Sequence, residues 1–413
     1  MKPTYRPRLA AIALLSFLVT ATPSVAAEKE AGWPQFRGPD RNGVSAEQGL
    51  LAAWPEAGPK ELWRVPLGAG YSAVVAQGNR LFTQFAAGEE EVIASFNPSD
   101  GSEVWRVSLG KTLETEMGNG PRSTPTVAGD TIFAVGSAAV LMALRTKDGK
   151  VQWQVDLQKR FPGRLPNWGL STSPLVDGDL VIFEVGSEEA SIAAFDRKTG
   201  ETRWTTTEKS AGYNSPLAAT LDGVRQYIFA PSSAPKVISL LPDGTLYWTH
   251  EWHGGTIAMP VQVGDDGIFV SASSDVGGML LRVRSEGGQA KVEEVWRNRE
   301  MKNHFSSSVA YDGHIYGFDN GSLKCIDATS GERKWTKRGL GKGTLIVAEG
   351  KLFLLSERGQ LVMARATPEA YDELGRKQVL SGKTWTSPSL ADGRLYLRDL
   401  EDLVCLDVRA QGS

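Results

Sequence analysis

The chain has 413 residues, with 45 lysines and arginines against 48 aspartates and glutamates, for a formal charge of −3 at pH 7. That near balance, with no basic patch or basic tail, excludes a nucleic-acid binder held by charge. Length alone predicts two or three domains, a count that the internal pattern of the chain overrides.

Residues 1–27 place Lys2, Arg6 and Arg8 before an apolar run, Leu9–Val19, and close on Ser24-Val25-Ala26-Ala27. This is the layout of a secretory signal peptide, its apolar core too short to span a bilayer as a helix. No cysteine follows the cleavage site to carry a lipid, so a soluble periplasmic or secreted protein is expected. Residues 28–57 contain WPQFRGPDRNGVS, in which Gly38-Pro39 and Asn42-Gly43 signal turns while Trp33 and Phe36 need an apolar surface. A strap packed over the rest of the chain is expected there, with Arg37 or Arg41 at a binding mouth as the alternative. Gly58–Gly68, GPKELWRVPLG, reads as one strand carrying Trp63, without the three strands that should precede it.

Two interleaved repeats fill the remainder. In the first, Ala193–Trp204 (AAFDRKTGETRW), a strand ends at Asp196, a turn carries Thr199-Gly200, and a second strand brings in Trp204. Glycine takes the φ > 0 that such a turn needs, and the tryptophan has to be buried against something outside its own hairpin. Copies end at Trp105, Trp153, Trp248 and Trp335, and a looser one at Trp296. In Ala364–Leu380, Gln378-Val379-Leu380 stands where the tryptophan strand is expected. The second repeat is a turn glycine followed by an aromatic strand, as in VDGDLVIFEVGS and YDGHIYGFDNG. Its glycines, from Gly78 to Gly393, recur about every 45 residues, the period of a four-stranded β-propeller blade.

Ser387–Val408 offers three strands and no tryptophan strand after Cys405, and Glu61–Leu67 supplies the missing one. An all-β, eight-bladed propeller over residues 58–409, its last blade closed by an N-terminal strand, is therefore expected. Cys325 and Cys405 fall at the same repeat position in blades two apart. With blades turned by about 45°, they lie beyond the ~7 Å that a disulfide can bridge, and both are expected as buried thiols.

The A-x-D-x-x-[ST]-G-x-x-x-W pattern resembles the tryptophan-docking motif of the pyrroloquinoline-quinone (PQQ) repeat superfamily. That superfamily includes quinoprotein dehydrogenases and BamB-like outer-membrane assembly factors. The resemblance covers residues 58–408 and implies the fold; function has to come from a site.

In such a meander the blade-to-blade linkers end beside the central channel, on the face opposite the Asp/Gly hairpins. Here the linkers end in GNGPRSTP, LPNWGLSTSP, AGYNSP, HGGTIAMP, NHFSSS, GKGTL and GKTWTSP. They bring Asn119, Arg122, Trp168, Tyr213, Asn214, His253, His304 and Trp385, with Asn303 and Lys342, toward one mouth. Arginine suits carboxylates, tryptophan offers a stacking face, and Asn and His fix orientation. The alternative is that these groups cap the channel and pin the linkers. His250, His253 and His304 match no established metal spacing, so no metal site is assigned. Glu188 and Glu189 stand loosely where quinoprotein alcohol dehydrogenases place a calcium ligand, and the companion Asn and catalytic Asp have no match. The expectation is a scaffold that binds a small ligand or a protein at the linker-face mouth, without evident catalytic residues. The alternative is a dehydrogenase using PQQ and calcium on an alcohol or sugar.

Overall fold

A computed structural model describes residues 1, 32–208, 212–232, 234–255, 257–273 and 275–410. Residues 2–27 of the expected signal peptide lie outside them. Residues 31–413 form one compact unit, and it is an eight-bladed β-propeller. The blades span 75–111, 126–156, 175–206, 217–251, 261–298, 309–337, 343–378 and, with Lys60–Pro66, 389–407. Blade 3 shows the plan: Leu175–Asp177, Leu180–Glu184, Ile192–Asp196 and Thr202–Thr206 pair consecutively and antiparallel. First strands touch across most neighbouring blades around the channel, including blades 8 and 1. In blade 8, Lys60–Pro66 lies antiparallel to Asp402–Asp407 as the outermost strand, with Trp63 opposite Cys405.

In six of the eight blades a tryptophan of the outer strand joins the blade to the next. The indole N–H of Trp63 donates to the carbonyl of Pro98 (2.9 Å), Trp105 to Thr146 (3.0 Å) and Trp153 to Arg197 (3.0 Å). Trp204 reaches Pro242, Trp296 reaches Ala328 and Trp335 reaches Thr367 in the same way. Trp248 departs from the pattern and donates to Gln226 Oε1 of its own blade (2.7 Å). Beneath several rings lies the turn glycine of the following blade. Gly200, at φ 71°, lies under Trp153, and a Cβ there would come within 2.7 Å of the indole. The glycine therefore serves two needs, a left-handed turn and room for its neighbour's tryptophan.

Within a blade the tryptophan also faces a fixed pair of positions. In blade 6, Tyr316, Cys325 and Trp335 stand side by side across three strands; in blade 8, Tyr396, Cys405 and Trp63 do. Both cysteines are buried and unpaired, and burial pushes both thiols up to about 12.

Blade 7 differs. Its outer strand is Glu373–Gln378, and Gly375 occupies the register position of the tryptophan, opposite Met363 and Phe353. The gap expected at Gln378-Val379-Leu380 thus lies upstream, at the glycine. Trp54, from the N-terminal segment, covers Gly375 so closely that a Cβ there would meet Trp54 Cβ at 2.6 Å. Its ring lies 5.7 Å from that of Phe353. In blade 6 the corresponding Tyr316–Trp335 separation is 6.1 Å.

The segment before Lys60 is woven into the ring. Gly32–Trp33 adds to the first strand of blade 1, and Val44–Ser45 runs parallel to that of blade 7. Between them Arg41 donates to the carbonyls of Ser173, Pro174 and Pro216, and Arg37 to those of Asn42 and Ser308. Both guanidinium groups are buried, which lowers their pKa from the ordinary value. Arg37 and Arg41 thus tie inner strands together from within the ring, with carbonyl dipoles in place of the lost water.

Candidate functional site

The linkers are held by a relay of hydroxyl groups. Ala73 N–H donates to Thr124 Oγ1 (2.9 Å), Thr124 N–H to Ser173 Oγ (3.0 Å) and Ser173 N–H to Ser215 Oγ (2.8 Å). Met259 N–H donates likewise to Ser307 Oγ (2.8 Å). Each hydroxyl accepts from the preceding blade and keeps its own O–H free to donate. The sequence signal was the recurring Ser/Thr-Pro at the linker ends, whose bonding role the residue pattern did not reveal.

Above this relay lies a cavity of about 200 Å³ floored by Phe36, Ser173, Ser215 and Ser307. Trp168 and Tyr213 form one wall, ring centroids 4.8 Å apart. Phe305 and Trp385 stack at 4.7 Å on another side, and Tyr71 lies 5.8 Å from Trp385. Two cations sit on these rings. Arg122 lies 5.4 Å from the Tyr71 centroid, and Lys383 Nζ lies 3.7 Å from that of Trp385. Arg122 donates to the carbonyls of Gly118 and Gly120 and to Thr115 Oγ1, and Lys383 to the carbonyl of Met117. Partial burial lowers the pKa of both, and for Lys383 the nearby Arg122 adds to it.

Of the residues expected at the mouth, Arg122, Trp168, Tyr213, His304 and Trp385 line this cavity. His304 is half-buried; desolvation and the nearby Lys342 lower its pKa, so it is neutral at pH 7. The other five, Asn119, Asn214, His253, Asn303 and Lys342, do not line it. Asn119 accepts from Thr115 N–H (3.3 Å), and buried Asn214 donates to the Ala230 carbonyl (2.8 Å). His253 is exposed and meets Glu251 at 2.6 Å. Asn303 is also structural, donating to the Phe318 carbonyl and accepting from Ser308. His250 meets Glu294 (3.3 Å), apart from His304, and no cluster of three His, Cys, Asp or Glu suited to a metal occurs among the described residues. Tyr71 was missed, although Ala69-Gly70-Tyr71-Ser72 echoes the later Ala211-Gly212-Tyr213-Asn214-Ser215. Phe305 and Lys383 gave no signal beyond their place beside His304 and Trp385.

Calcium is held by six to eight oxygens, typically including carboxylates. No carboxylate lines the cavity, and Glu188 and Glu189 are exposed outside it. Exposed Glu116, outside the lining, accepts from the Trp168 indole (3.3 Å) and lies near enough to act on Arg122. Two buried glutamates tie linkers instead: Glu91 accepts from Ser137 and Leu113 N–H, and Glu184 from Gly212 N–H. The donor set of the cavity does not fit calcium, and it offers no support for the quinone chemistry that calcium assists.

Eight blades sealed by indoles, with a linker-face mouth, define a propeller of the PQQ-repeat class. Residues 88–337 match the family described as outer membrane protein assembly factor BamB, and the chain belongs to that family. The outer membrane protein assembly factor BamB of Yersinia pestis is 23% identical over 233 residues, 52% of this chain and 56% of that relative. The chain thus matches little more than half of that relative's length. The crystal structure of BamB from Moraxella catarrhalis superposes with a TM-score of 0.61 at 15% identity, over 84% of this chain and 97% of that one. Quinohemoprotein alcohol dehydrogenase from Comamonas testosteroni superposes as well, TM-score 0.62 at 12% identity, over 94% of this chain and 82% of that one. At these identities the two structural likenesses speak for the fold.

Proposed function

We propose that the protein is a non-catalytic binding propeller of the periplasm, which seats part of a protein partner in the linker-face mouth. The observation that carries this reading is the mouth itself: paired aromatic walls, two cations over its rings and a hydroxyl floor, with no carboxylate in the lining to serve as base or calcium ligand. Half-buried Trp, Tyr and Arg around a small depression are residue types that anchor protein interfaces. The family's description as an assembly factor supports the same reading, as does the signal-peptide pattern of residues 1–27.

The test has two arms. The purified protein, given PQQ, Ca²⁺ and an alcohol or aldose, is expected to leave an artificial electron acceptor unreduced; turnover dependent on both additions would refute the reading. A photo-crosslinking side chain at Tyr213 is expected to trap a partner protein in cells, whereas one at Lys198, on the opposite hairpin face, traps none of it. Equal crosslinking from both positions would remove the mouth from the reading.

A further inference from the structure

The mouth is small and aromatic and carries two cations that form no ion pair among the described residues, and these three properties together specify a ligand. This inference rests on the binding reading above and names the chemistry of the partner.

Size comes first. About 200 Å³ falls short of the ~300–1,000 Å³ of sites that engulf a whole small molecule. The cavity has room for one bulky side chain, with the rest of the ligand lying outside. The walls then select among side chains, since Trp168 with Tyr213 and Phe305 with Trp385 present ring faces and edges. Another aromatic ring complements them in offset or edge-on contact.

Charge is the third property. Arg122 and Lys383 are partly desolvated, hold backbone carbonyls and a threonine hydroxyl, and form no ion pair among the described residues, although Glu91 and Glu116 lie near enough to act on Arg122 and Glu357 on Lys383. Elsewhere on the surface arginines commonly sit on carboxylates, as Arg203 does on Asp196 (2.6 Å) and Arg225 on Asp177 (2.8 Å). Cations left without such a partner at a rim are complemented by acidic groups brought from outside. The floor agrees, because Ser173, Ser215 and Ser307 already accept hydrogen bonds and have O–H groups to offer an acceptor.

We propose that the mouth recognises an acidic peptide segment with a single aromatic anchor. The anchor's ring enters between the two aromatic walls, flanking Asp or Glu carboxylates meet Arg122 and Lys383, and a backbone carbonyl of the segment accepts from the serine floor.

Fluorescence anisotropy with three labelled peptides tests this: a Phe flanked on each side by two acidic residues, the same peptide with Ala for Phe, and the same with Lys for every acidic residue. The first is expected to bind the full-length protein, and the other two at least about tenfold more weakly. R122Q and K383Q, each checked by its thermal melt, are expected to weaken the first peptide several-fold and to flatten its salt dependence. R203Q, on the hairpin face, changes neither. Equal binding of the lysine peptide, binding of no peptide, or affinity unmoved in both R122Q and K383Q overturns the proposal. An uncharged aromatic peptide that binds as well as the acidic one overturns the charge requirement while leaving a binding propeller. Turnover with PQQ would instead remove the binding reading itself.

Discussion

Blades 6 and 7 fill the same space with different parts of the chain. Blade 6 places Trp335 on its own outer strand beside Tyr316. Blade 7 leaves Gly375 at that register position and receives Trp54 from far upstream, against Phe353. The contrast teaches that a propeller keeps a volume occupied, and that the residue filling it can arrive from outside the local motif. It also explains why the segment before Lys60 belongs to the fold. Trp54 seals blade 7, Leu50 bridges to Arg409, and Lys60–Pro66 completes blade 8.

The comparison breaks most visibly at the seam. Deleting residues 58–68 removes the outer strand of blade 8 and bares the edge of Asp402–Asp407, so the truncated protein is expected to aggregate. Size-exclusion chromatography checks this, and a monomer with an unchanged melt would refute the closure. Next come the two tryptophans. Trp335→Ala and Trp54→Ala are each expected to cost roughly 3–5 kcal/mol, the range for emptying a buried aromatic site, read from denaturant midpoints. If Trp54→Ala costs under about 1 kcal/mol, the segment only covers blade 7 and the equivalence fails.

A finer test concerns glycines. Gly200→Ala and Gly287→Ala both impose a left-handed backbone on a residue with a Cβ, worth about 1–2 kcal/mol. At Gly200 the Cβ also meets Trp153, whereas at Gly287 nothing lies within 4 Å. The first is therefore expected to be the more destabilising, and equal losses would show that the glycine serves the turn alone.

The smallest effect is electrostatic and lies where the linkers to blades 6 and 7 approach each other. The pKa of His304 is lowered in the folded protein by burial and Lys342, so the unfolded chain takes up more protons as pH falls through the ordinary value of about 6.5. Stability is expected to decline modestly from pH 7 to pH 5, and His304→Gln to lose that part of the decline. Identical pH profiles of melting temperature would contradict it.

The ring, its eight blades and the five cavity residues were legible in the sequence because each repeats a local pattern: turn glycine, aromatic strand, linker ending in Ser/Thr-Pro. The failures were non-local. Asn214 and Asn303 sit in linkers of the expected type, yet their amides turn inward to bond backbone carbonyls of their own blades. No pattern in residues 28–57 announces that Trp54 fits a glycine more than 300 positions later in the chain, nor that Arg37 and Arg41 pin carbonyls around the channel. Such pairings depend on which surfaces meet after the ring has closed.

That arrangement sets an order on folding. During synthesis the strand Lys60–Pro66 emerges long before its ladder partner, Asp402–Asp407, and Arg41 before the carbonyls of Ser173, Pro174 and Pro216 that it holds. Lys60–Pro66 remains without that partner until the last blade is made, and bringing chain ends of such separation together carries a loop-closure cost that local hairpins do not face. Completion of the ring is thus a late event. Until it occurs the nascent protein shows two open β-edges, a state in which a chaperone that shields unpaired strands would matter more than one that shields a core.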